Sequence, residues 1–393
     1  MLQYDYVIVG AGMAADAAIS GIRRRDPQGS VLVIGEEPFP PYQRPPLSKK
    51  LWLDMRLEEA FLNSWQRGRG VDWALHTRVV RLQPEQRQVQ TDHEQVIGYG
   101  KLLLATGARP RRFADSPPSV FYVGSLREHV RLWSELAEPR SIVVVGGGFI
   151  GAEMAAVLSS RQHHVTWVMQ EPYPFAGFFP DDLARHVQEE YRKHAVTILG
   201  HSDVRSISEE SGEIHVVTQA GQNVTGELAV VGIGVTPNDD LAKTVGLSDG
   251  MGIEVDQYLR TANPHIWAAG DVAIMRPDLK AMMHEDHAVT QGRAAGENMA
   301  GAQKPYNHRS FYYSDLYHFG YEAIGECRTS HQVVEDWVVP HEEGVVYYLE
   351  DERVVGVLNW NVWDGIAKAQ ALIDGQRPVR TPDLIGHIRN AQS

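Results

Sequence analysis

The stretch Tyr6-Val7-Ile8-Val9-Gly10-Ala11-Gly12-Met13-Ala14-Ala15 decides the fold. It returns later in the chain as Ile142-Val143-Val144-Val145-Gly146-Gly147-Gly148-Phe149-Ile150-Gly151. Each copy is an apolar strand, a glycine turn and the start of a helix, the context that separates a dinucleotide-binding fingerprint from a chance run of glycines. A pyrophosphate can approach the backbone where side chains are missing, and the following helix N-terminus is partly positive. Two copies imply two dinucleotides bound together. The first helix reads from Met13 to Arg25 and stops at Asp26-Pro27-Gln28-Gly29, ahead of the strand Val31–Ile34. The second copy repeats the plan with a helix over Ala152–Ser160 and a strand over Val165–Val168. This alternation predicts parallel α/β units.

An acid at the end of the second strand of such a unit holds the adenosine ribose, about 20 residues beyond the loop. Glu36 lies 21 residues after Ala15, and Glu171 lies 20 after Gly151. A carboxylate at Glu171 repels a 2′-phosphate, so the second site is expected to take NADH rather than NADPH. Further strand-like runs lead into Ala105-Thr106-Gly107, into Gly234, and into Gly270-Asp271. A late Gly-Asp after a strand suits a carboxylate facing a ribityl chain. That assigns the first loop to FAD and the second to the nicotinamide nucleotide. Asp271 can also serve as a helix N-cap, and the two roles are compatible.

From about Phe311 the chain changes character. Short β-type runs at Gly344–Leu349 and Val354–Trp360 precede a helix near Gly365–Asp374, which predicts a separate α+β domain. The expected organisation is an FAD-binding domain over 1–115 and 239–308, an NADH-binding domain over 116–238, and a C-terminal domain over 309–393.

The 393-residue chain is 43% hydrophobic and carries a formal charge of −13, which disfavours nucleic acid and anionic membrane as partners. No apolar run reaches the roughly 18–20 residues of a membrane span. The sequence enters a strand at once, without a basic or amphipathic leader, so a cytoplasmic setting is expected. The single cysteine, Cys327, excludes an intrachain disulfide, and electrons must leave a bound flavin directly. His284 and His287 have no third-ligand pattern beside them, and no metal is expected there.

At Pro40–Trp52 (PYQRPPLSKKLW after the first proline) the chain resembles the flavin loop of the apoptosis-inducing-factor family, a relative of the ferredoxin reductases of bacterial oxygenase systems. The stretches Gly146–Glu153, Ala268–Asp271, His284–Val289, Gly292–Met299, Ser314–Leu316 and Gly320–Gly325 carry the same resemblance. It implies two Rossmann-like dinucleotide-binding domains in a glutathione-reductase-like α/β architecture, with a C-terminal α+β domain. By that resemblance Gly10, Gly12, Ala14, Ala15, Glu36, Arg44, Lys49, Val79, Ala105, Thr106, Gly107, Arg111, Gly270, Asp271, His284, Glu285 and Tyr313 contact FAD. Gly146, Gly148, Phe149, Ile150, Gly151, Glu153, Glu171 and Gly234 contact NADH.

The resemblance further implies that Lys49 pairs with Glu153 beside the flavin ring, that Phe149 covers the flavin face and stacks on nicotinamide, and that His284 lies near the pyrimidine end. Val79 and Val80 are implied to meet the adenine through backbone contacts; as bare residues they read as strand core. Tyr312-Tyr313 stands where the family often has Phe-Trp. The chain is expected to lack the presequence of eukaryotic members, and it has only a short connection between Gly325 and Gly344, where they carry a long insertion. The implied activity is hydride transfer from NADH to flavin N5, then electron transfer to an external acceptor: a quinone, oxygen or a small iron–sulfur protein. A lasting charge-transfer complex of reduced flavin with NAD⁺ goes with it. A ferredoxin or rubredoxin reductase is the alternative. A third reading is an NADH sensor whose oligomeric state, a homodimer favoured by NADH, governs partner binding.

Overall fold

The computed structural model describes residues 2–62, 70–275 and 284–389. The chain forms two compact units. One comprises Met1–Pro45, Arg56–Arg109 and Val235–Ser310; the other comprises Pro46–Met55, Pro110–Gly234 and Phe311–Ser393.

The first unit is built on a seven-stranded sheet. Val71–Ala74, Val31–Ile34, Leu2–Val9 and Val96–Leu104 lie side by side in parallel, and Ile266–Ala268 joins the far end of Val96–Leu104, also parallel. The hairpin Val79–Gln83 and Gln88–Thr91 extends the sheet antiparallel. Val7, Ile8, Val33, Leu102 and Leu103 are fully buried, as strands covered on both faces require. Val79 is buried in this sheet, but Val80 is 51% exposed, which corrects its reading as core. Successive strand residues face opposite sides, and only one of the two can point inward.

The helices Met13–Arg25 and Glu285–Met299 pack together in this unit at unusually short range. A Cβ on Gly292 would stand 2.2 Å from the Ala14 carbonyl oxygen, and one on Gly296 would stand 2.1 Å from that of Ala18. From the other side, a Cβ on Gly21 would meet the Arg293 carbonyl oxygen at 2.2 Å. The small residues at these spacings let the two backbones touch.

The second unit contains a five-stranded parallel sheet in the order Thr197–Leu199, His164–Val168, Ser141–Val145, Leu228–Val231, Val120–Phe121. A three-stranded antiparallel sheet, Val204–Glu210, Glu213–Thr218 and Asn223–Gly226, packs its Ile207, Ile214 and Val216 into the same core. A five-stranded antiparallel sheet follows in the order Phe311–Leu316, Phe319–Gly325, Arg353–Trp360, Glu343–Glu350, Gln332–Val339, with the helix Ile366–Gly375 against it. The helix after the second loop runs Phe149–Ser160, three residues longer at its start than its sequence suggests. Gly148 is its N-cap, so Phe149 belongs to the first turn rather than to the loop.

Gly296→Val wedges an isopropyl group between the helices Met13–Arg25 and Glu285–Met299. We expect a loss of about 2–3 kcal/mol of stability, from the typical cost of overpacking, read as a lower urea midpoint. A wild-type midpoint would show that the contact is dispensable.

Candidate functional site

The two glycine loops close in the same way. Gly10 and Gly146 have φ of +110° and +113°. A Cβ on either would strike the end of a neighbouring strand: the Ala105 carbonyl oxygen at 2.1 Å, or that of Gly232 at 2.3 Å. The second glycines differ in kind. A Cβ on Gly12 or Gly148 would meet nothing within 4 Å. Both are helix N-caps without a side-chain cap. The first intrahelical bonds run from Asp16 N–H to the Gly12 carbonyl and from Ala152 N–H to the Gly148 carbonyl. Each loop thus opens the first turn of a helix towards unfilled space, a cradle fit for a pyrophosphate. Gly151 holds the second cradle shut, since its Cβ would lie 1.9 Å from the Gly146 carbonyl oxygen. Ala15, at the corresponding place in the first loop, is fully buried, and Ala14 and Ile150 lie in the same first turns.

In the first unit, Gly270 (φ +78°) would place a Cβ 3.0 Å from that of Ala14, which brings Asp271 beside the first cradle. Burial pushes the Asp271 carboxyl up to about 6, while the Arg44 guanidinium pulls it down. Arg44 donates to Glu37 Oε1 at 2.8 Å, and the Tyr42 hydroxyl donates to Glu37 Oε2 at 2.7 Å. Glu36 is exposed at the end of Val31–Ile34, whereas Glu37, which the sequence reading passed over, anchors the flavin-loop arginine. Thr106 donates to the Asn238 carbonyl at 2.7 Å and its own carbonyl accepts from Asn238 Nδ2 at 2.9 Å, fixing the turn Ala105-Thr106-Gly107. His284 is the N-cap of Glu285–Met299, with Glu285 in the first turn. His287 is buried, its pKa lowered by desolvation to about 4, and its Nδ1 lies 3.3 Å from the Ser310 hydroxyl. It is a neutral core histidine.

In the second unit, Lys49 sits between two short 3-10 turns, Pro45–Ser48 and Lys50–Trp52. Trp52 is fully buried; its indole N–H donates to the Leu47 carbonyl at 2.7 Å and its ring lies 4.7 Å from that of His129. This anchor presents Lys49 to Glu153, in the helix Phe149–Ser160, with Nζ 3.0 Å from Oε1. The two side chains are 9% and 6% exposed. Ser48 donates to Glu153 Oε2 at 2.5 Å and Ser314 donates to Oε1 at 2.6 Å. Lys49 also donates to the Tyr313 carbonyl at 3.2 Å, and its Nζ stands 4.4 Å from the centre of the Tyr313 ring. The sequence reading gave neither serine a role, although Ser48 lies in the Pro40–Trp52 stretch and Ser314 opens the Ser314–Leu316 stretch that carry the resemblance.

Tyr312 and Tyr313 part company, as neighbours on a strand must. Tyr312 turns to Phe149, ring centres 5.8 Å apart, and to Phe178 at 5.7 Å. Phe149 further packs edge-on to Phe178 at 5.6 Å and beside Phe175 at 6.1 Å. Phe149, Phe175, Ala176 and Phe178 line a cavity of about 170 Å³ whose other wall is Gly147, Gly148 and Glu171. Glu171 Oε2 is buried there without a hydrogen-bond partner. An orphaned carboxylate oxygen beside an open glycine cradle is an acceptor awaiting hydroxyl donors, and the residues fit an adenosine ribose. Arg111 N–H donates to the Gly234 carbonyl at 2.9 Å. Cys327 is buried, and burial pushes its thiol up to about 12.

Two outcomes are expected. Glu153→Ala strands the Lys49 ammonium in a buried site and costs about 3–5 kcal/mol, the usual penalty for breaking a buried pair; an unchanged denaturation midpoint would contradict this. The raised Asp271 carboxyl makes the folded chain hold a proton that the unfolded chain has released. Its contribution to stability therefore falls as pH rises from about 4 to about 6. Stability of the flavin-free chain should fall less over that window in Asp271→Asn than in wild type, and identical slopes would refute the assignment.

Residues 4–292 match the family described as pyridine nucleotide-disulphide oxidoreductase, and residues 295–342 match the C-terminal module described as apoptosis-inducing factor, mitochondrion-associated. Rhodocoxin reductase of Rhodococcus erythropolis is 32% identical, over 81% of this chain and 77% of its own. Apoptosis-inducing factor 1 of Dictyostelium discoideum is 27% identical, over 98% of this chain and 81% of its own. A Drosophila melanogaster relative, 28% identical, is longer, and the chain spans 63% of it. Among solved structures, the ferredoxin reductase for the CYP199A2 system of Rhodopseudomonas palustris superposes with a TM-score of 0.89 at 26% identity, covering 96% of each chain. Among the described residues no helix is long and apolar enough to cross a membrane. The chain belongs to the pyridine nucleotide-disulphide oxidoreductase family, as an NAD(P)H-dependent flavin oxidoreductase of the apoptosis-inducing-factor and ferredoxin-reductase kind.

Proposed function

We propose that the chain oxidises NADH at a bound FAD and passes the electrons to an external acceptor, holding the reduced flavin with NAD⁺ as a lasting charge-transfer complex. The observation that carries the nucleotide half of this reading is the buried, unpartnered Glu171 Oε2 facing the Gly147-Gly148 cradle. Its carboxylate accepts from ribose hydroxyls and repels a 2′-phosphate, which selects NADH over NADPH. The Phe149 wall supplies a flat apolar surface beside the same cradle. Bound FAD supplies the hydride chemistry. The cradle at Gly12 holds its pyrophosphate and Asp271 its ribityl hydroxyls, while the Lys49 ammonium, oriented by Glu153, Ser48 and Ser314, stabilises negative charge on the ring.

The C-terminal match over residues 295–342 and the Gly320–Gly325 run support the apoptosis-inducing-factor behaviour. The 32% identity to rhodocoxin reductase supports a second reading, reduction of a small iron–sulfur protein. A cytoplasmic location and an NADH-favoured homodimer complete the proposal.

An anaerobic titration with NADH and then NADPH, followed by admission of air, tests it. A long-wavelength absorbance band that persists in air is the expected result. Rapid bleaching without that band, with fast turnover on an added ferredoxin, favours the second reading. In Glu171→Ala the preference for NADH should shrink roughly tenfold or more, the loss of one good polar contact. Equal preference in variant and wild type would remove Glu171 from nucleotide selection, and faster reduction by NADPH in the wild type would overturn the choice of NADH.

A further inference from the structure

A second cluster of chemistry-bearing side chains lies in the second unit, between the helix Asp181–Lys193 and the antiparallel sheet. Asp182 and His186 stand four residues apart on that helix, hence on one face. Glu335 comes from the strand Gln332–Val339, and His341 from the turn that follows it. Glu342 N–H donates to the Val339 carbonyl at 3.0 Å and closes this turn. Its third residue, His341, has φ +61°, a conformation that turns ordinarily give to glycine or asparagine. Two bonds hold it there: Trp360 Nε1 donates to the His341 carbonyl at 2.8 Å, and Asn361 Nδ2 to the Glu342 carbonyl at 2.7 Å.

The result is convergence. One ligating atom each from Asp182, Glu335 and His341 lie within 4.8 Å of one another, with Asp182 Oδ2 3.1 Å from His341 Nε2. Ligands about 2.1 Å from one ion stand at most about 4.2 Å apart, so side-chain adjustments of well under about 1 Å bring all three onto a common centre. Trp337 Nε1 donates to Glu335 Oε2 at 2.5 Å and its ring packs edge-on to His341 at 5.4 Å, an outer layer that orients two of the three ligands. The His186 ring centre is 5.5 Å from that of His341. Charge points the same way. Among the described residues no lysine or arginine forms an ion pair with Asp182 or Glu335, so two carboxylates stand together without such a counter-charge, and Asp182 faces the His341 ring. The adjoining Glu190 differs: Lys193 Nζ lies 2.9 Å away, with His194 and His318 at 3.6 and 3.5 Å, and it has no need of an ion.

We propose that Asp182, Glu335 and His341 form a binding site for a divalent transition ion of the zinc class. Mixed imidazole and carboxylate donors in a compact set are the ligand types such ions take. The ion would clip the helix Asp181–Lys193 to the hairpin of Gln332–Val339 and Glu343–Glu350. The sequence reading named no metal site.

Calorimetric titration of Zn²⁺ into the chelator-treated, FAD-loaded protein decides the matter. One equivalent should bind and raise the melting temperature. Asp182→Asn is an exposed change, and His341→Asn keeps a residue that tolerates the left-handed turn. Each should weaken Zn²⁺ roughly tenfold or more, the scale of disturbing a metal ligand set, with the flavin spectrum confirming that the variant is folded. His194→Ala should bind as wild type. Failure of the wild type to bind one equivalent, or wild-type affinity in either Asp182→Asn or His341→Asn, overturns the site.

Discussion

The structure depends on one recurring constraint: the turn after the first strand of each nucleotide-binding sheet must press its backbone against the end of the neighbouring strand. At Gly10 the neighbour is Ala105, and at Gly146 it is Gly232. No other residue fits, since the site excludes a Cβ and the backbone lies at φ beyond +100°. Only when the turn is this tight does the next glycine, Gly12 or Gly148, point its backbone into open space at a helix N-terminus. The same logic extends outward. Gly292 and Gly296 bring their helix against the one that begins at the first cradle, and Gly270 brings Asp271 to that helix's first turn. In each case a missing side chain sets the distance, and the distance sets which groups border the cradle.

The buried Lys49–Glu153 pair is a different kind of commitment. Burying two opposite charges is seldom favourable relative to apolar packing, and the cost is contained only when the remaining lone pairs are satisfied. Ser48 and Ser314 meet that requirement on the carboxylate, and the Tyr313 carbonyl and ring meet it on the ammonium. Such a fully bonded pair is rigid. Its rigidity rests on parts far apart in sequence: the Trp52 anchor fixes Lys49, the second fingerprint helix fixes Glu153, and the first strand of the antiparallel sheet brings Ser314 and Tyr313. A stiff positive charge of this kind suits the role proposed for Lys49, stabilising negative charge on a flavin ring, because it need not reorganise when that charge develops.

Much of this was legible in the sequence because the governing signals are local. The helix Met13–Arg25 and the strand Val31–Ile34 have the bounds their patterns announce, since a glycine turn opens the helix and the Asp-Pro-Gln-Gly cluster stops it. The carboxylates spaced from each loop follow from strand and helix lengths. What escaped was tertiary. The pairing of Glu37 with Arg44 turns on side-chain direction, which spacing alone does not fix. Val80 fails as core for the same reason. Phe175 and Phe178 belong to an irregular stretch with no period to reveal them, and they reach Phe149 only because the chain doubles back after Glu171. The convergence of Asp182 with Glu335 and His341 spans about 160 residues and leaves no sequence trace.

The family takes its name from disulphide chemistry, yet this chain has one cysteine. The structure removes even that thiol from redox work. Cys327 is buried, donates weakly to the carbonyls of Ile324 and Val357, and is held so far towards the neutral thiol that almost no thiolate exists at neutral pH. The thiolate is the reactive form, so Cys327 neither attacks a disulfide nor relays electrons. With no cysteine pair to receive them, two electrons delivered by a nicotinamide have nowhere in the protein to rest except the flavin. On the proposed reading the acceptor takes them from the ring itself. On that reading the choice of acceptor lies in the side chains around the ring, and the two nucleotide cradles have one task, to hold both cofactors still. A fold shared with disulfide reductases can thus serve a different acceptor without altering either cradle.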